Sequence, residues 1–519
     1  DCALLTEAGF TATHRVFDED SQGYFAGFMP TADPSVLLQI GTRWRILAVL
    51  LVTIFMALVN VSTVNVGLPT IQHGLNASQS DLQWVLSGYA LTFGVILVAA
   101  GRAGDILGRG GFFMLGVIVF TLASLACGLA LTPRALNVAR FVQGVGSGLI
   151  SPQGIGMIQQ YFRGAERGRA FGYFGSMVGF SVGVGPVLGG LLIELGGPQF
   201  GWRLSFLFNV PLGVIIMVMT WRLFPRPLFN RRAPGAPAQS WQSTLKALDP
   251  LGSTLLGLSV FAVLYPFMEY QASPWVWILL PAGLALTLLW VLWERHYLRV
   301  GGSPMVDLNI FRTRSFSNGT LIMSLYFLGM TSIWVIIAMY MQEGHGYSAL
   351  AAGLIGIPAA TISAYAAHWA GDRVNVYGRK VVIGGLIMGI AGLLLCIAVV
   401  LLQQSHGISI WWLLLPLTLV GVAQGSVISP NQTLTLDDVP LSYAGSSGAV
   451  MQTGQRIGTS VGIALITSAL FATLSMTASW PLAVVVAFGV IVVIFALALA
   501  LAYKDLRDRS IRPLRTRGA

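Results

Sequence analysis

Apolar runs of about 20 residues, separated by short polar breaks, make up most of this chain. A helix rises ~1.5 Å per residue, so a run of this length crosses the ~30 Å hydrocarbon core of a bilayer. The pattern therefore predicts an all-α integral membrane protein with fourteen spanning helices. The predicted spans are 46–68, 83–101, 112–131, 135–155, 170–194, 204–221, 251–269, 275–293, 317–341, 350–370, 381–403, 410–430, 446–473 and 480–502.

The basic residues lie mostly in every second loop, and this alternation predicts the orientation of the chain. There are 30 Lys and Arg against 20 Asp and Glu. If the N-terminus is cytoplasmic, almost all of the basic residues fall in the tails or in cytoplasmic loops, as the positive-inside rule requires. We therefore expect both termini in the cytoplasm and a multi-pass protein of a cell membrane, most simply the bacterial inner membrane. The loop-by-loop distribution also argues against nucleic acid as a partner.

Cysteine and histidine give no indication of a metal, a cofactor or a catalytic centre. The cysteines Cys2, Cys127 and Cys396 are widely separated, and the six histidines form no cluster with ligand spacing. A membrane enzyme would need a constellation of His, Cys, Asp or Glu near an interface, and none is visible. We expect no metal, no cofactor and no enzymatic activity, whereas a receptor or a scaffold is harder to exclude from sequence.

Two pairs of similar segments indicate duplicated halves. The segment GRAGDILGRG at 101–110 is echoed by GDRVNVYGRK at 371–380, and LISPQ at 149–153 is echoed by VISPN at 427–431. Duplicated halves with a substrate site between them are a common plan for transporters. The predicted domains are a cytoplasmic tail (1–43), a six-helix half (44–221), a cytoplasmic linker (222–249), an inserted helix pair with its loop (250–316), a second six-helix half (317–503) and a basic tail (504–519).

Four segments carry motifs in a specific order: VNVSTVNVGLP (59–69), GRAGDILGRG (101–110), LNVARFVQGVGSG (136–148) and GYFGSMVGFSVGVGPVLGG (172–190). In these motifs the chain resembles the major facilitator superfamily, specifically its fourteen-helix drug:proton antiporter family of the EmrB/QacA type. The resemblance covers residues 44–503. It implies a monomeric transporter in the lipid bilayer that exports small amphipathic molecules, including drugs, by alternating access in exchange for protons.

The loop at 101–110 corresponds to the conserved loop motif of that superfamily and is predicted to act as a latch. Its residues in register with the motif are Gly101, Asp105, Gly108 and Arg109. Asp105 would be stabilised beside a helix N-terminus, and Arg109 could pair with a carboxylate of a neighbouring span. The alternative is a tight turn whose basic residues only orient the loop toward the cytoplasm. Asn375 replaces the acid in the second copy, so we expect a weaker latch than in relatives.

The fifth predicted span contains four glycines, which have no side chain, and one proline, which has no backbone N–H. These residues are Gly183, Gly185, Pro186, Gly189 and Gly190. Proline deletes a helical hydrogen bond and kinks the helix, and glycine permits close approach of another helix. The resemblance implies that this antiporter motif seals or pivots between two states. The alternative is a bent, closely packed span without that role.

Polar and aromatic residues inside the predicted spans are candidates for a substrate or proton pathway: Asn60, Asn65, Tyr89, Arg140, Gln143, Gln452 and Arg456. A charge inside the bilayer costs ~2.5–3.5 kcal/mol on insertion scales and usually faces a cavity or a partner. Arg140 and Asn60 are predicted at similar depth and could meet. Arg456 and Gln452 share one helix face and could line a central cavity. Buried structural networks are the alternative.

The first-span motif carries Asn60 where the family that it resembles has an aspartate, and an amide cannot titrate. Three mechanisms stay open. Proton antiport could use Glu194, Glu269 or His368; an anionic or neutral metabolite could be exported by pairing with the two buried arginines; or efflux could be an uncoupled facilitated process. Two arginines without an acid predict that weak acids or neutral amphiphiles are better substrates than lipophilic cations.

Overall fold

The computed structural model describes residues 34–229, 246–269, 273–440 and 443–510. Most of the predicted tails and of the predicted linker lies outside these residues. Within them, six long helices form what we call the first half: α1 (Pro34–Leu75), α2 (Gln79–Leu107), α3 (Arg109–Leu129), α4 (Pro133–Tyr161), α5 (Gly164–Leu207) and α6 (Asn209–Leu223).

Two further helices, α7 (Pro250–Met268) and α8 (Leu279–Arg299), are called the helix pair. The second half then contains α9 (Arg314–Met339), α10 (Ala349–Leu354), α11 (Ile357–Tyr377), α12 (Arg379–His406), α13 (Leu414–Thr435), α14 (Ala444–Thr477) and α15 (Trp480–Ser510). Short 3-10 turns lie at Pro274–Ile278, Leu308–Arg312 and Ile410–Leu413, and a π turn lies at Tyr340–Gly344. The all-α prediction is confirmed for the described residues.

Local sequence explains where several helices begin and end. Ser78, Thr132 and Asp249 each accept a hydrogen bond at their side-chain oxygen from the backbone N–H three residues on, so they cap α2, α4 and α7. Gly108 and Gly378 have φ of 116° and 54°, which side-chain-bearing residues rarely adopt. Each therefore ends one long helix and begins the next at matching positions of the two halves.

Twelve helical stretches in the described part of the chain are long and apolar enough to cross a membrane, against the fourteen that the sequence predicts. The other two predicted spans correspond to α4 and α11, which have 29 and 21 residues but are more polar. The buried face of α4 carries Arg140, Gln143 and Gln153, and α11 contains His368 and Asp372. Length and composition therefore support twelve spans and leave α4 and α11 unassigned.

Two large hydrophobic cores and two smaller ones lie within the described residues. One large core contains only buried residues between 322 and 502, and the other large core is built mainly from residues 46–316. The predicted domain boundaries after residues 43, 221, 316 and 503 fall inside α1, α6, α9 and α15. A helix continues beyond its apolar stretch unless a cap, glycine or proline stops it, so these boundaries do not coincide with helix ends.

The halves meet along two lines of contact. In the α5–α11 seam, small residues bring the backbones together: a Cβ at Gly168 would lie 2.5 Å from the Gly371 carbonyl oxygen, and one at Gly183 2.6 Å from the Ala360 Cβ. In the α2–α14 seam, a Cβ at Gly101 would lie 2.7 Å from the carbonyl oxygen of Gly445. Close approach of this kind needs glycine.

Helix α5 continues through its glycine–proline motif, and the role of this motif as a hinge stays a prediction. The helix keeps helical dihedral angles from Gly183 to Gly190 and departs from them only at Gly197, where φ is 68°. Neighbouring helices can compensate for a missing backbone donor at proline inside a packed bundle. The motif provides close packing, because a Cβ at Gly189 would lie 2.9 Å from the Thr63 Cα on α1. Nothing lies within 4 Å of a Cβ at Gly190.

Candidate functional site

Arg140 lies on α4 with only 1% of its surface exposed. Its Nε donates to the Val85 carbonyl oxygen at 2.7 Å, and a terminal nitrogen donates to Gln143 Oε1 at 2.6 Å. The guanidinium carbon lies 4.3 Å from the ring centre of Tyr89. Among the described residues no aspartate or glutamate forms an ion pair with it. Its charge is therefore stabilised by a carbonyl, an amide and an aromatic face.

Asn60 is fully buried and is connected to Arg140 through Gln143 rather than directly. Its Oδ1 accepts from Gln143 Nε2 at 3.3 Å and from Asn209 Nδ2 at 3.0 Å. Gln143 Nε2 also donates to Ser124 Oγ at 2.7 Å. Asn60 Nδ2 and Asn209 Oδ1 are buried and have no hydrogen-bond partner within the described structure. The site is thus a neutral amide network around one arginine.

Sequence reasoning missed Asn209 and Ser124. Asn209 is a single polar amide within the apolar stretch 204–221, and this isolation was a usable signal. Ser124 gave no comparable signal, because serine is common in membrane helices and its hydroxyl can donate to a backbone carbonyl of the preceding turn. Here it donates to the Phe120 carbonyl oxygen at 2.7 Å. Only the packing of α1, α3, α4 and α6 brings these groups together.

Aromatic contacts link Arg140 in the first half to Arg456 in the second. The Tyr89 and Phe93 rings on α2 stack with centres 6.2 Å apart, and the Tyr89 hydroxyl lies 2.7 Å from Ser147 Oγ. On the other side, the Arg456 guanidinium carbon lies 4.4 Å from the Phe93 ring centre. A cation on each side of an aromatic pair is a favourable electrostatic arrangement.

Arg456 is exposed although it lies well inside the 34-residue helix α14. No ion pair joins it to an acid in the part of the chain that the structure describes. One turn earlier, Gln452 is buried and accepts a hydrogen bond from Ser151 Oγ at 2.7 Å, across the two halves. Ser151 belongs to the repeated LISPQ segment but was not identified as a site residue. Asn65 is exposed on α1 and forms no hydrogen bond with this group.

A second constellation lies at the end of the bundle that carries the loops 101–110, 161–169 and 371–380, here called the basic end. Asp105 accepts hydrogen bonds from the backbone N–H groups of Gly445 and Ser446, both at 2.9 Å, in the first turn of α14. Arg109 donates to Asp105 Oδ1 at 2.8 Å. It also donates to the Gln160 Oε1 on α4 at 2.8 Å. Asp105 therefore connects the two halves directly.

Arg109, the first residue of α3, pairs with Asp105 near the end of the preceding helix α2. The predicted position of Asp105 beside a helix N-terminus is found, and that helix belongs to the opposite half. Of the four predicted loop residues, Gly101 and Asp105 contact α14, Arg109 binds Asp105, and Gly108 forms the turn between α2 and α3. An aspartate at this position is stabilised by two backbone donors and the helix dipole.

Ion pairs connect the halves at the α5–α11 seam as well. Arg167 pairs with Asp437, and Arg169 Nε lies 3.1 Å from Asp372 Oδ1. These pairs were not predicted, although the arginines of 163–169 and the acids Asp372 and Asp437 are visible in the sequence. Both pairs are partly exposed, and such pairs are typically worth about 0–1 kcal/mol each.

Three residues were candidates for binding a proton: Glu194, Glu269 and His368. Glu194 is exposed, and His368 Nε2 lies 3.8 Å from Asp372 Oδ2. Glu269 lies one residue beyond the apolar stretch Lys246–Met268, is buried, and has an oxygen without a hydrogen-bond partner among the described residues. Burial raises the pKa of Glu269. None of the three contacts Arg140 or Arg456.

Two buried acids on the helix pair were also missed. Glu294 accepts from Trp290 Nε1 at 2.9 Å and from the backbone N–H of Met305 at 3.1 Å. Asp249 accepts from Trp293 Nε1 at 2.9 Å. Both carboxylates accept from neutral donors, so Asp249 fastens the start of α7 to α8 and Glu294 fastens α8 to the segment that follows the pair.

Comparisons with known proteins agree on one family. The sequence profile of the Major Facilitator Superfamily matches residues 50–463. The probable actinorhodin transporter of Streptomyces coelicolor is 31% identical over 441 residues, which is 84% of this chain and 74% of that protein. The tetracenomycin C resistance and export protein of Streptomyces glaucescens is 28% identical over 432 residues, covering 82% and 76%. The human organic anion transporter MFSD10 shares the fold, with a TM-score of 0.61 at 13% identity over 89% of this chain and 99% of that one.

Proposed function

Because this chain belongs to the Major Facilitator Superfamily, we propose that it exports small amphipathic molecules, drugs or metabolites, from a bacterial cytoplasm. Two relatives are named for actinorhodin transport and for tetracenomycin C export. We place the protein in the inner membrane as a monomer of fourteen spans, with both termini cytoplasmic and α4 and α11 as the two more polar spans. Both of these helices contact their own half and the opposite half, so their polar groups avoid lipid.

Alternating access is supported by the contacts at the basic end. The positive-inside rule assigns this end to the cytoplasm. Asp105 binds the first turn of α14 there, and Arg167 and Arg169 bind acids of the second half. This arrangement fits an outward-facing state, and opening toward the cytoplasm requires that these contacts break. The residues 101–110 would then act as the gate of the cycle.

The charge of the substrate follows from one observation: Arg456 is exposed on α14 between the halves and has no acidic partner in the described structure. An uncompensated cation in a surrounding of low dielectric attracts anions and repels cations. Arg140 adds a second positive charge without an acid. We propose that anionic or neutral amphiphiles are the substrates and that lipophilic cations are poor ones.

The test is transport into proteoliposomes of an anionic, a neutral and a cationic dye of similar size. The parent should move the anionic and neutral dyes better than the cationic dye. Arg456→Gln should lower anion transport about tenfold, equivalent to ~1.4 kcal/mol, and leave the neutral dye little affected. Arg373→Gln, at an exposed position near the C-terminal end of α11, is the matched control and should resemble the parent. Preference of the parent for the cationic dye contradicts the proposal.

A second proposal concerns energy coupling: export is driven by proton entry through an acid other than residue 60. Asn60 is fully buried in an amide network that binds no proton at ordinary pH. We favour Glu269, because it is buried and one of its carboxylate oxygens has no hydrogen-bond partner among the described residues, whereas both oxygens of Glu294 accept hydrogen bonds.

An imposed pH gradient distinguishes the coupling mechanisms. The parent should accumulate substrate in response to the gradient, Glu269→Gln should lose this response, and Glu194→Gln, at an exposed acid, should keep it. If the response appears only in Asn60→Asp, the parent is an uncoupled facilitator. If the parent responds and Glu269→Gln responds equally, coupling uses another group and the assignment to Glu269 is wrong.

A further inference from the structure

The helix pair lies against one of the two seams only. Helix α7 packs on α2, where a Cβ at Gly94 would lie 3.0 Å from Leu264 Cδ1. Leu91, Val260 and Leu264 form a small apolar core, and Ile457 of α14 packs against it. Helix α7 thus contacts α2 of the first half and α14 of the second half, and it covers the line where these helices meet.

Helix α8 lies on the far side of α7 and presents an apolar surface. The exposed fractions of Leu284, Leu288, Leu289 and Leu292 all exceed 50%. A continuous exposed leucine face on a spanning helix is the expected surface toward lipid. The order from lipid to the interior is therefore α8, then α7, then the α2–α14 seam.

Hydrogen bonds fasten the helix pair to the first half. Gln83 Nε2 on α2 donates to the Met268 carbonyl oxygen at 3.1 Å, near the C-terminal end of α7. At the basic end, Arg102 donates to Ser303 Oγ at 2.5 Å, and Glu294 holds the backbone of Met305 in the same segment. Within the described residues, no hydrogen bond joins residues 246–308 to α14. The contact with the second half is apolar and can slide.

No described helix outside the two halves covers the α5–α11 seam in this way. Side chains along it are exposed, among them Phe180 on α5 and Tyr365 and Trp369 on α11; the exposed fraction of Tyr365 is 69%. Small residues bring the two helices close from Gly168 to Gly183, and beyond that a Cβ at Gly190 would meet nothing within 4 Å. The two seams therefore differ in their access to lipid.

We propose that the helix pair is a lateral seal. It closes the α2–α14 seam to lipid and moves with the first half. It also leaves the α5–α11 seam as the route by which apolar molecules pass between the bilayer and the space between the halves. Only its movement during the cycle rests on the proposed function, because the asymmetry of lipid access is a property of the fold.

Lipid access is tested by fluorescence quenching with nitroxide-labelled lipids. Single cysteines replace Ile457, Tyr365 or Leu465 in a Cys2→Ser background, where Cys127 and Cys396 are buried. Leu465 is an exposed residue of α14 and is the matched reference. We expect strong quenching at 365 and 465 and at least threefold weaker quenching at 457. Gly94→Leu, which displaces α7, should raise quenching at 457. Equal quenching at 457 and 465 in the parent would overturn the proposal.

Movement is tested by cross-linking cysteine pairs with a short bifunctional maleimide. Trp84→Cys with Tyr265→Cys joins the pair to α2, where the two native rings lie 6.0 Å apart. Val260→Cys with Ile457→Cys joins it to α14. The first cross-link should retain most transport, and the second should reduce it more than tenfold. The reverse order, or equal inhibition by both, contradicts movement with the first half. A parent without any transport refutes the proposed function, while the quenching result still decides the seal.

Discussion

The loops 101–110 and 371–380 share a sequence pattern but hold different parts of the molecule together. In the first loop, Arg109 binds Asp105, and Asp105 binds the backbone of α14 in the opposite half. In the second loop, Arg379 binds Asp505 at 2.7 Å, and Asp505 lies on α15 of the same half. The contact of Asp105 with α14 must break if the halves separate, whereas the Arg379–Asp505 pair lies within one half and can persist.

The position of the acid explains this difference. The acid of the first loop is replaced by Asn375 in the second, so Arg379 takes its partner from the end of α15. Asp505 also accepts from Asn318 Nδ2 at 2.8 Å, and the side chains of Arg379 and Asp505 are only 0% and 2% exposed. One ancestral pattern thus gives a joint between halves in one copy and a buried structural pair in the other.

The largest expected effect is the loss of the buried pair. Asp505→Asn leaves the Arg379 charge buried without its carboxylate, which typically costs ~3–5 kcal/mol. We expect a markedly lower midpoint of thermal unfolding in detergent, measured by the loss of the monomer peak in size-exclusion chromatography. Lys380→Ala, at an exposed neighbour of Arg379, is the control and should unfold like the parent. An Asp505→Asn protein as stable as the parent would show that the pair is not structural.

A smaller and different effect is expected in the first loop. Asp105→Asn removes the negative charge at the N-terminus of α14, worth about 1 kcal/mol, so the basic end should open about fivefold more often. A cysteine in place of the buried Ala449, which lies at this seam, should react about fivefold faster with a water-soluble maleimide. The unfolding temperature should change little. Unchanged labelling together with reduced stability would mean that Asp105 is structural, as Asp505 is.

The smallest effect is expected from restoring the missing acid. Asn375 lies at the α5–α11 seam, where a Cβ at Gly168 would lie 2.7 Å from its Nδ2. Asn375→Asp places a negative charge near the first turn of α5, which favours closure by about 0.3–1 kcal/mol. Labelling of the cysteine at 449 should slow about two- to fivefold. Combined with Asp105→Asn the two effects should nearly cancel, because distant sites add; faster labelling in Asn375→Asp alone would contradict this reading.

The helices were predictable because long apolar runs have few other stable conformations in a bilayer. The sequence also indicated which polar residues are unusual, and Arg140 and Gln143 do lie in one network. It did not indicate their partners. Asn209 and Ser151 enter only through helix packing, and the Val85 carbonyl oxygen is a backbone group that no side-chain pattern reveals.

The non-helical residue in α5 shows a second limit of prediction from the sequence. The sequence contains two glycine–proline pairs in this helix, at Gly185–Pro186 and at Gly197–Pro198. Both pairs disfavour helix, since the residue before proline is pushed out of helical dihedral angles. Only Gly197 departs from them, while Gly185 stays helical against Ser62 on α1. The local preference against helical dihedral angles is present at both pairs. Contacts with neighbouring helices decide at which pair the chain departs from them.

The contact between Asp105 and the backbone of α14 has a consequence for how the protein can evolve. Its two donors on the second half are backbone N–H groups, so a substitution at Ser446 keeps the donor, and that position can drift without altering the contact. Gly445 cannot vary in the same way, because a Cβ there would lie 2.6 Å from Asp105 Oδ1. The strength of the contact therefore depends mainly on Asp105, on Gly445 and on Arg109, which binds Asp105, so few substitutions can tune it.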